Sequence, residues 1–332
     1  MDKIVIDFES LNTNIYKLGS GLVLSEPTVI AISSDGKNNV KAIGSEAKKL
    51  IGKTANNTKI VFPVFEGEIV NEKAAVKLLS AFLDKIEIKN GSSVMAIMSL
   101  PCGLSAESIE KYRQVAKGVG IKKVYFIEAP LLVAFSQKMP VTDSIPSFII
   151  DMAGGVTNIA TVSSDGVIVG VSVNFGVNKI TTDIIDFIAE NYGLQIGLLT
   201  AERLKTETGS LAENDGLSTV INGRDVKMGS PRALSVKAMD IQSPIKDYYD
   251  KIIEIALSVL VKLPPEVSAE IRNSGIYLSG IGANIYGLHD YFAHKFDMPI
   301  NISDNPEYAV TLGGGKVVSD NNLVNKLSLK IN

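Results

Sequence analysis

The sequence predicts an α/β protein with mixed sheets, built from two copies of one supersecondary unit. Two observations carry this. Displacing the chain by 144 positions lays "IVIDFESLNTNI" (4 to 15) over "FIIDMAGGVTNI" (148 to 159), so that Ile6/Ile150, Asp7/Asp151, Thr13/Thr157, Asn14/Asn158 and Ile15/Ile159 coincide. Behind each copy, stretches with helical spacing alternate with short apolar stretches of strand length.

The elements follow in order. In each copy an apolar strand ends in Asp, a turn of small or polar residues follows, and a second strand leads to a third through Gly-containing punctuation, "KLGSGLVL" and "SSDGVIVGV". Both halves therefore open with a β-meander. In the first half "KAAVKLLSAFLDKI", "SVMAIMSLP", "AESIEKYRQVAKGVG" and "KVYFIEAP" come next. In the second half the alternation runs through "ITTDIIDFIAENYG", "SPIKDYYDKIIEIALSVLVKL", "GIYLSGIG" and "EYAVTLGGGKVVS". A third glycine-bearing turn, "YLSGIGANIYGL", follows an apolar strand and is expected to open a helix, an arrangement that lets backbone approach a nucleotide.

Composition narrows the function classes. With 332 residues the chain has room for two domains, and 45% hydrophobic against 21% charged residues is ordinary for a globular protein. Lys plus Arg number 33 against 36 Asp plus Glu, with no basic run to track a phosphate backbone, so nucleic acid is not an expected partner. A single cysteine, Cys102, excludes an internal disulfide, and the first strand starts at once without a charged and apolar leader, so a cytoplasmic location is expected. The longest apolar run, "IEIALSVLV", contains a Glu and is far shorter than the roughly 20 residues of a membrane span. His289 and His294 stand alone and read as surface residues; nothing near Cys102 in sequence argues for a nucleophile.

The repeated Asp has a specific physical reading. Two strand ends, each closed by Asp and a tight polar turn, can face one another across a cleft between two like domains. Turn N–H groups bind phosphate oxygens, the hydroxyls of Ser10, Thr13 and Thr157 add donors, and Asp7 and Asp151 hold a hydrated Mg²⁺ through its water. The plainer reading of one such Asp is a strand-end residue satisfying local N–H groups; its recurrence favours the cleft.

With these turns placed, the chain resembles the MreB family of bacterial actins, the rod-shape-determining proteins, as a divergent member of the actin-like ATPase superfamily. The resemblance runs nearly end to end, through "GLVLSEPTVIAIS", "AIGSEAKKLIGKT", "VFPVFEGEIVN", "IGLLTAERLKTETGS", "INGRDVKMGSPRALSV", "LPPEVSAEIRNSGIYLSGIGANIYGL" and "NPEYAVTLGGGKVV". It implies an actin-like ATPase fold: two similar domains, ribonuclease H-like repeats, around a nucleotide cleft, each carrying an inserted subdomain. The expected division is 1–139 with an insertion at about 28–66, 140–308 with an insertion at about 175–240, and a segment 309–332 returning to the first domain. The resemblance also implies ATP with Mg²⁺ as the ligand and head-to-tail polymerisation into paired protofilaments.

Carried over residue by residue, the family motif assigns Asp7, Ser10, Asn12 and Thr13 to the first phosphate turn and Asp151, Gly154, Gly155 and Thr157 to the second. Ser279, Gly280 and Gly282 would line the adenosine turn, and Glu202 and Lys205 would contact ribose and adenine. On their own residues Glu202 and Lys205 read as a solvated i, i+3 pair. Thr157 matches the position that helps orient the attacking water.

The departures are pointed. Glu9 stands where the family's first turn has a phosphate-approaching Gly, Ala153 replaces the first Gly of the second turn, and Ile281 replaces the middle Gly of the third. Each adds a Cβ and raises the question of a forbidden φ. A carboxylate 4 Å from a phosphate oxygen repels it by about 4 kcal/mol at an effective dielectric of 20. In "YFIEAPLL" the family's water-positioning Glu is Ala129; Glu128, one residue earlier on an extended segment, points to the other face. Asn178 replaces an acidic residue.

The expected function is a bacterial actin-like cytoskeletal protein governing cell shape, a slow ATPase at best, present in the cytoplasm or peripherally at the inner face of the membrane. The alternative is a nucleotide-decoupled pseudo-ATPase scaffold co-assembling with a paralogue. An actin-fold small-molecule kinase lacks a motif for its substrate, and a chaperone ATPase lacks room for a further domain. For membrane contact the sequence offers Ile86 and Ile88, or the C-terminal Leu323, Val324, Leu327, Leu329 and Ile331.

Overall fold

The computed structural model describes residues 1–34, 39–88, 91–137, 145–213 and 215–330, apart from the Ser92 side chain. The first half opens with β1 (Asp2–Phe8), β2 (Asn12–Lys17), β3 (Gly21–Pro27), β4 (Ile30–Ser33), β5 (Val40–Ile43) and the short helix α1 (Gly44–Lys48). It continues through β6 (Thr58–Val61), β7 (Val64–Phe65), β8 (Glu68–Ile69), α2 (Glu72–Lys85), β9 (Val94–Leu100), α3 (Ala106–Gly118), β10 (Lys123–Glu128) and α4 (Ala129–Ser136). The second half starts with β11 (Ser147–Met152), β12 (Thr157–Ser163), β13 (Gly166–Val173), α5 (Val177–Tyr192), β14 (Leu194–Gln195) and α6 (Leu198–Thr208). After these come β15 (Ser218–Asp225), β16 (Pro231–Lys237), α7 (Gln242–Leu260), α8 (Pro265–Ser274), β17 (Ile276–Ser279), α9 (Leu288–Ala293) and β18 (Ile300–Ile302). Two helices, α10 (Ala309–Ser319) and α11 (Asn321–Leu327), close the chain.

The two five-stranded sheets repeat one another strand for strand, β10-β9-β1-β2-β3 and β18-β17-β11-β12-β13. In each, an antiparallel meander supplies three strands and two parallel strands join the free edge of the first. The predicted class, α/β with mixed sheets, is what forms. Two smaller three-stranded sheets, β5-β4-β6 and β14-β15-β16, stand apart from these. The expected boundary at 139/140 lies outside the described residues.

Burial explains why the opening strands read as continuous apolar runs. Strand side chains alternate between faces, and here both faces are covered. On β1, Ile4, Ile6 and Phe8 enter a core belonging to the first half, and on β11 Phe148, Ile150 and Met152 enter the core of the second. Val5 and Ile149 point the other way, into a third core that the two sheets share with α4, α10 and α11. Helix α10 reaches this core through its glycines: a Cβ on Gly313 would stand 1.7 Å from the Leu132 carbonyl oxygen of α4. Only a residue without a side chain permits that approach.

Three expectations are corrected or refined. The turn after β17 does not open a helix directly; it forms a 3₁₀ turn, Ile281–Asn284, which ends where Ile285 turns extended and Gly287 adopts φ 80° before α9. Glu9, Ala153 and Ile281 do not sit at positive φ; among the described non-glycine residues only Glu66 and Glu87 do. The apolar residues offered for membrane contact are spent internally: Ile88, Val324 and Leu327 are buried, and Ile86, Leu323 and Leu329 pack against the cores. The Leu329 N–H also donates to the Phe126 carbonyl on the β10 edge, while Ile331 lies outside the described residues. Among the described residues no helix is long and apolar enough to cross a membrane.

Candidate functional site

Register builds the site. β1 and β2 set Asp7 opposite Asn14, and β11 and β12 set Asp151 opposite Asn158. The parallel neighbours then bring a serine to the other side of each carboxylate. Ser99 donates to Asp7 Oδ1 at 2.6 Å, and Ser279 donates to Asp151 Oδ1 at 2.9 Å. Asn158 Nδ2 donates to Asp151 Oδ2 at 3.1 Å, and the Asn14 side chain bonds Asp7. The two halves thus repeat the same Asp, Asn and Ser hydrogen-bonding arrangement, and both Asp carboxyl groups face one cleft.

The cleft comprises two adjoining cavities. The inner one, about 180 Å³, is walled by Asp7, Glu9, Ser10, Ala129, Asp151 and Gly155, with Gly67 and Tyr112 closing one side. The outer one, about 360 Å³, has apolar walls of Val177, Ile180, Tyr249 and Ile285, with Gly282, Glu202, Lys205 and Lys48 around it. Asn12, Ile281 and Asn284 line both. Gly280 belongs to the inner wall, where its φ of 79° brings it against the Met152 backbone.

Two predicted hydroxyls face elsewhere, for a reason of strand geometry. Asn12 and Asn14 line the inner cavity, so Thr13 between them points behind the wall, where its hydroxyl pairs with Thr28 at 2.9 Å. Val156 and Asn158 likewise line the cavity, and Thr157 bonds the Phe175 carbonyl and the Tyr248 hydroxyl, both at 3.0 Å. Ser279 is buried on Asp151 and does not border either cavity. Glu202 and Lys205 are not a solvated mutual pair. Glu202 forms an ion pair with Lys48 of α1 at 2.7 Å, and Lys205 donates to the Val177 carbonyl at 3.1 Å and to Thr181 at 2.7 Å.

Three carboxyl groups, those of Asp7, Glu9 and Asp151, share the inner cavity. Burial raises the pKa of Asp7 to about 6 against the opposing Ser99 hydrogen bond, and the charge of Asp151 adds to the rise. Asp151 is raised by burial as well. Glu9 is pushed up to about 8, by burial first and then by the charge of Asp7. Its side chain crosses the cleft: Glu9 Oε2 accepts the Gly154 N–H at 2.8 Å. The two turns meet so closely that a Cβ on Gly154 would lie 2.2 Å from Leu11 Cβ, and one on Gly155 2.2 Å from Ser10 Oγ.

A family model described as MreB/Mbl protein matches residues 1–326. The chain belongs to the MreB/Mbl family. The cell shape-determining protein MreB of Escherichia coli (strain K12) is 30% identical over 319 residues, covering 94% of this chain and 92% of that protein. The crystal structure of MreB5 of Spiroplasma citri bound to ADP superposes with a TM-score of 0.91 at 28% identity, covering 98% of both chains. The same protein bound to AMPPNP gives 0.89 at 28% identity over 94% of both chains. Membership makes this chain a bacterial actin-like cytoskeletal protein with the actin-like ATPase fold.

The MreB/Mbl pattern sharpens what is unusual here. Ala129 caps β10 and its methyl group faces the inner cavity. Glu128 is committed elsewhere: its Oε1 accepts the Gly103 N–H at 2.9 Å, and its carboxylate bonds the Cys102 thiol, which burial drives well above its usual pKa. The outer cavity, apolar with a few polar groups at its rim, suits a nucleoside. A hydrated cation suits the inner one: Asp7 and Asp151 flank it, and Asn14 Oδ1 is a buried acceptor without a partner. Among the described residues no three His, Cys, Asp or Glu side chains form a direct metal cage. The Gly154 N–H in the inner cavity's wall is already taken by Glu9.

Sequence reasoning missed Ser99, Lys48 and the β7–β8 hairpin. The hairpin turns at Glu66 and Gly67, at φ 47° and 76°, and a Cβ on Gly67 would press on Pro101 and Val156 at 2.9 Å. Its signal was present as Glu66-Gly67 between Val64-Phe65 and Glu68-Ile69, a two-residue turn of left-handed residues. Nothing in the sequence marks Lys48, whose role depends on how the two small sheets face each other.

Proposed function

We propose that this chain is a filament subunit whose cleft takes an adenine nucleotide with hydrated Mg²⁺ and hydrolyses it slowly or not at all. The observation that carries the reading is Ala129: a methyl group stands on the inner wall where the family has its water-positioning Glu, and Glu128 is bonded to Gly103. A positioned base is worth about 10²- to 10⁴-fold in rate. Asp7 and Asp151, with Asn14, would hold the cation through its water; Ser10, Asn12, Gly154 and Gly155 would meet the phosphates; Gly280, Gly282, Glu202 and Lys205 would border the nucleoside. The Mg²⁺ of a bound nucleotide would offset the negative charge of the phosphates and of the Asp7 and Asp151 carboxyl groups. With the hydroxyl of Thr157 turned to Tyr248, this chain keeps neither family group for orienting water. The division at 139/140 and 308/309, with its two insertions, is part of the same reading.

Subunits would stack head to tail in paired protofilaments. Co-assembly with MreB paralogues and a peripheral contact at the inner face of the membrane rest on family membership alone. The Glu9 contact to Gly154 favours a second reading, a scaffold whose assembly is uncoupled from nucleotide.

Sedimentation with Mg-ATP, with Mg-ADP and without nucleotide separates the two, alongside phosphate release by the wild type and Ala129→Glu. The expected result is pelleting that requires Mg-nucleotide, with phosphate release near background in the wild type and raised about 10²-fold in A129E. Pelleting in every condition, or in none, would make the chain a passive scaffold or a subunit that needs a paralogue to polymerise. Unchanged release by A129E with nucleotide bound would move the defect to Glu9 or Ala153.

A further inference from the structure

We propose that the Glu9 side chain is a built-in occupant of the terminal-phosphate position, which makes the cleft selective for nucleoside diphosphate over triphosphate. The proposal rests on the nucleotide reading and deepens it. Three observations converge on Glu9. Its carboxyl oxygen takes the Gly154 N–H at 2.8 Å, the donor that a phosphate oxygen would need. It lines the inner cavity and not the outer one, so it stands at the end of the cleft away from the nucleoside walls. And the second turn is pinned behind it, because the Ala153 and Gly154 carbonyls accept the Val177 and Asn178 N–H groups that open α5, at 3.1 and 2.9 Å.

Pinning decides which partner must give way. The Gly154 amide cannot retreat without breaking the start of α5, and the gap is closed from the other side by Leu11 and Ser10. A ligand whose phosphate chain stops short leaves Glu9 in place. One that extends to Gly154 must first expel the Glu9 carboxyl group, losing its hydrogen bond and finding room for four further heavy atoms in a cavity of about 180 Å³. Among the described residues the inner walls offer no Lys or Arg to draw the longer chain in. Glu9 therefore acts as a specificity determinant of ligand length, and it ties the two halves together across the cleft before any ligand arrives.

The test is calorimetric titration of the full chain with Mg-ADP and with Mg-AMPPNP, for the wild type, Glu9→Gly and Glu9→Gln. Wild type should bind the diphosphate at least about tenfold more tightly, one hydrogen bond's worth of discrimination. E9G should remove most of that gap by tightening AMPPNP, with the ADP affinity within about threefold of wild type. E9Q keeps the length of the side chain and a carbonyl oxygen for Gly154, so it should retain a partial gap, and it carries the test if E9G folds poorly. Equal wild-type affinities that E9G leaves equal would overturn the role of Glu9 while nucleotide binding stands. Absence of binding by the wild type and both variants would overturn the nucleotide reading and this inference together.

Discussion

Ser99 donates to Asp7 across 2.6 Å, and among the described residues no other hydroxyl bonds that carboxylate. The Ser279 contact to Asp151 is its counterpart in the second half. Removing either donor leaves a buried carboxylate with one hydrogen bond fewer. Ser99→Ala and Ser279→Ala should each lower stability by about 1–3 kcal/mol in urea denaturation, and weaken Mg-dependent nucleotide binding by a similar factor in both cases. A large effect of one and none of the other would break the equivalence of the two halves.

Gly313→Ala should be among the most damaging single-atom additions in the chain. The new Cβ meets backbone, the Leu132 carbonyl at 1.7 Å, so no side-chain rotation relieves it and α10 must move off α4. Overpacking of this kind costs about 1–3 kcal/mol or more. Thermal denaturation should show it, and a melting temperature unchanged from wild type would mean the helix crossing is looser than described.

Lys205 gives stability a defined pH dependence. Burial lowers its pKa from 10.5 to about 8, opposed by the charge of Glu202 and reinforced by Lys48. Below pH 8 the folded and unfolded chains both hold the proton, and the cost of a buried ammonium is present in full. Between 8 and 10.5 the unfolded chain holds a proton that the folded one has released, so this group makes stability rise with pH, and above 10.5 the cost is gone. Lys205→Met should therefore be stabilising relative to wild type at pH 7, by no more than about 3 kcal/mol, with the difference shrinking towards pH 10.5. The comparison of variant with wild type also cancels the buried tyrosines, whose raised pKa values make stability fall as pH rises above about 10.

The Lys48–Glu202 pair joins α1 to α6 beside the outer cavity, with both side chains partly exposed. Such a pair contributes at most about 1 kcal/mol to folding. Lys48→Ala should hardly change the melting temperature, and should speed release of a fluorescent ADP analogue in stopped flow, an effect that 0.5 M salt should reproduce in the wild type.

The meanders, the alternation behind them and the paired Asp residues were legible because each is a local pattern: strand period, turn residues, and a repeat of identical letters at one spacing. Asn14 and Asn158 were visible as coincidences in the repeat, although their bonds to Asp7 and Asp151 follow only from antiparallel register. Ser99 was illegible because a parallel neighbour some ninety residues away brings it to Asp7, and no local rule sets that pairing. Thr13 and Thr157 show the opposite failure: the motif named them, but alternation along β2 and β12 turns their hydroxyls into the protein. For Glu9 the sequence posed the conflict between carboxylate and phosphate, and only the structure shows the side chain reaching inward to Gly154.

The shared core has a consequence for biosynthesis. Val5, buried from the first strand onward, is covered by α10, and Gly314 packs directly upon it. As the ribosome extends the chain, the sheet of the first half emerges well before α10, the helix that seals one of its faces. That half cannot finish folding vectorially; it must wait, with an apolar face open, for α10 to come back to it. Such a nascent chain is exposed to aggregation and is a natural client for chaperones until α10 has emerged.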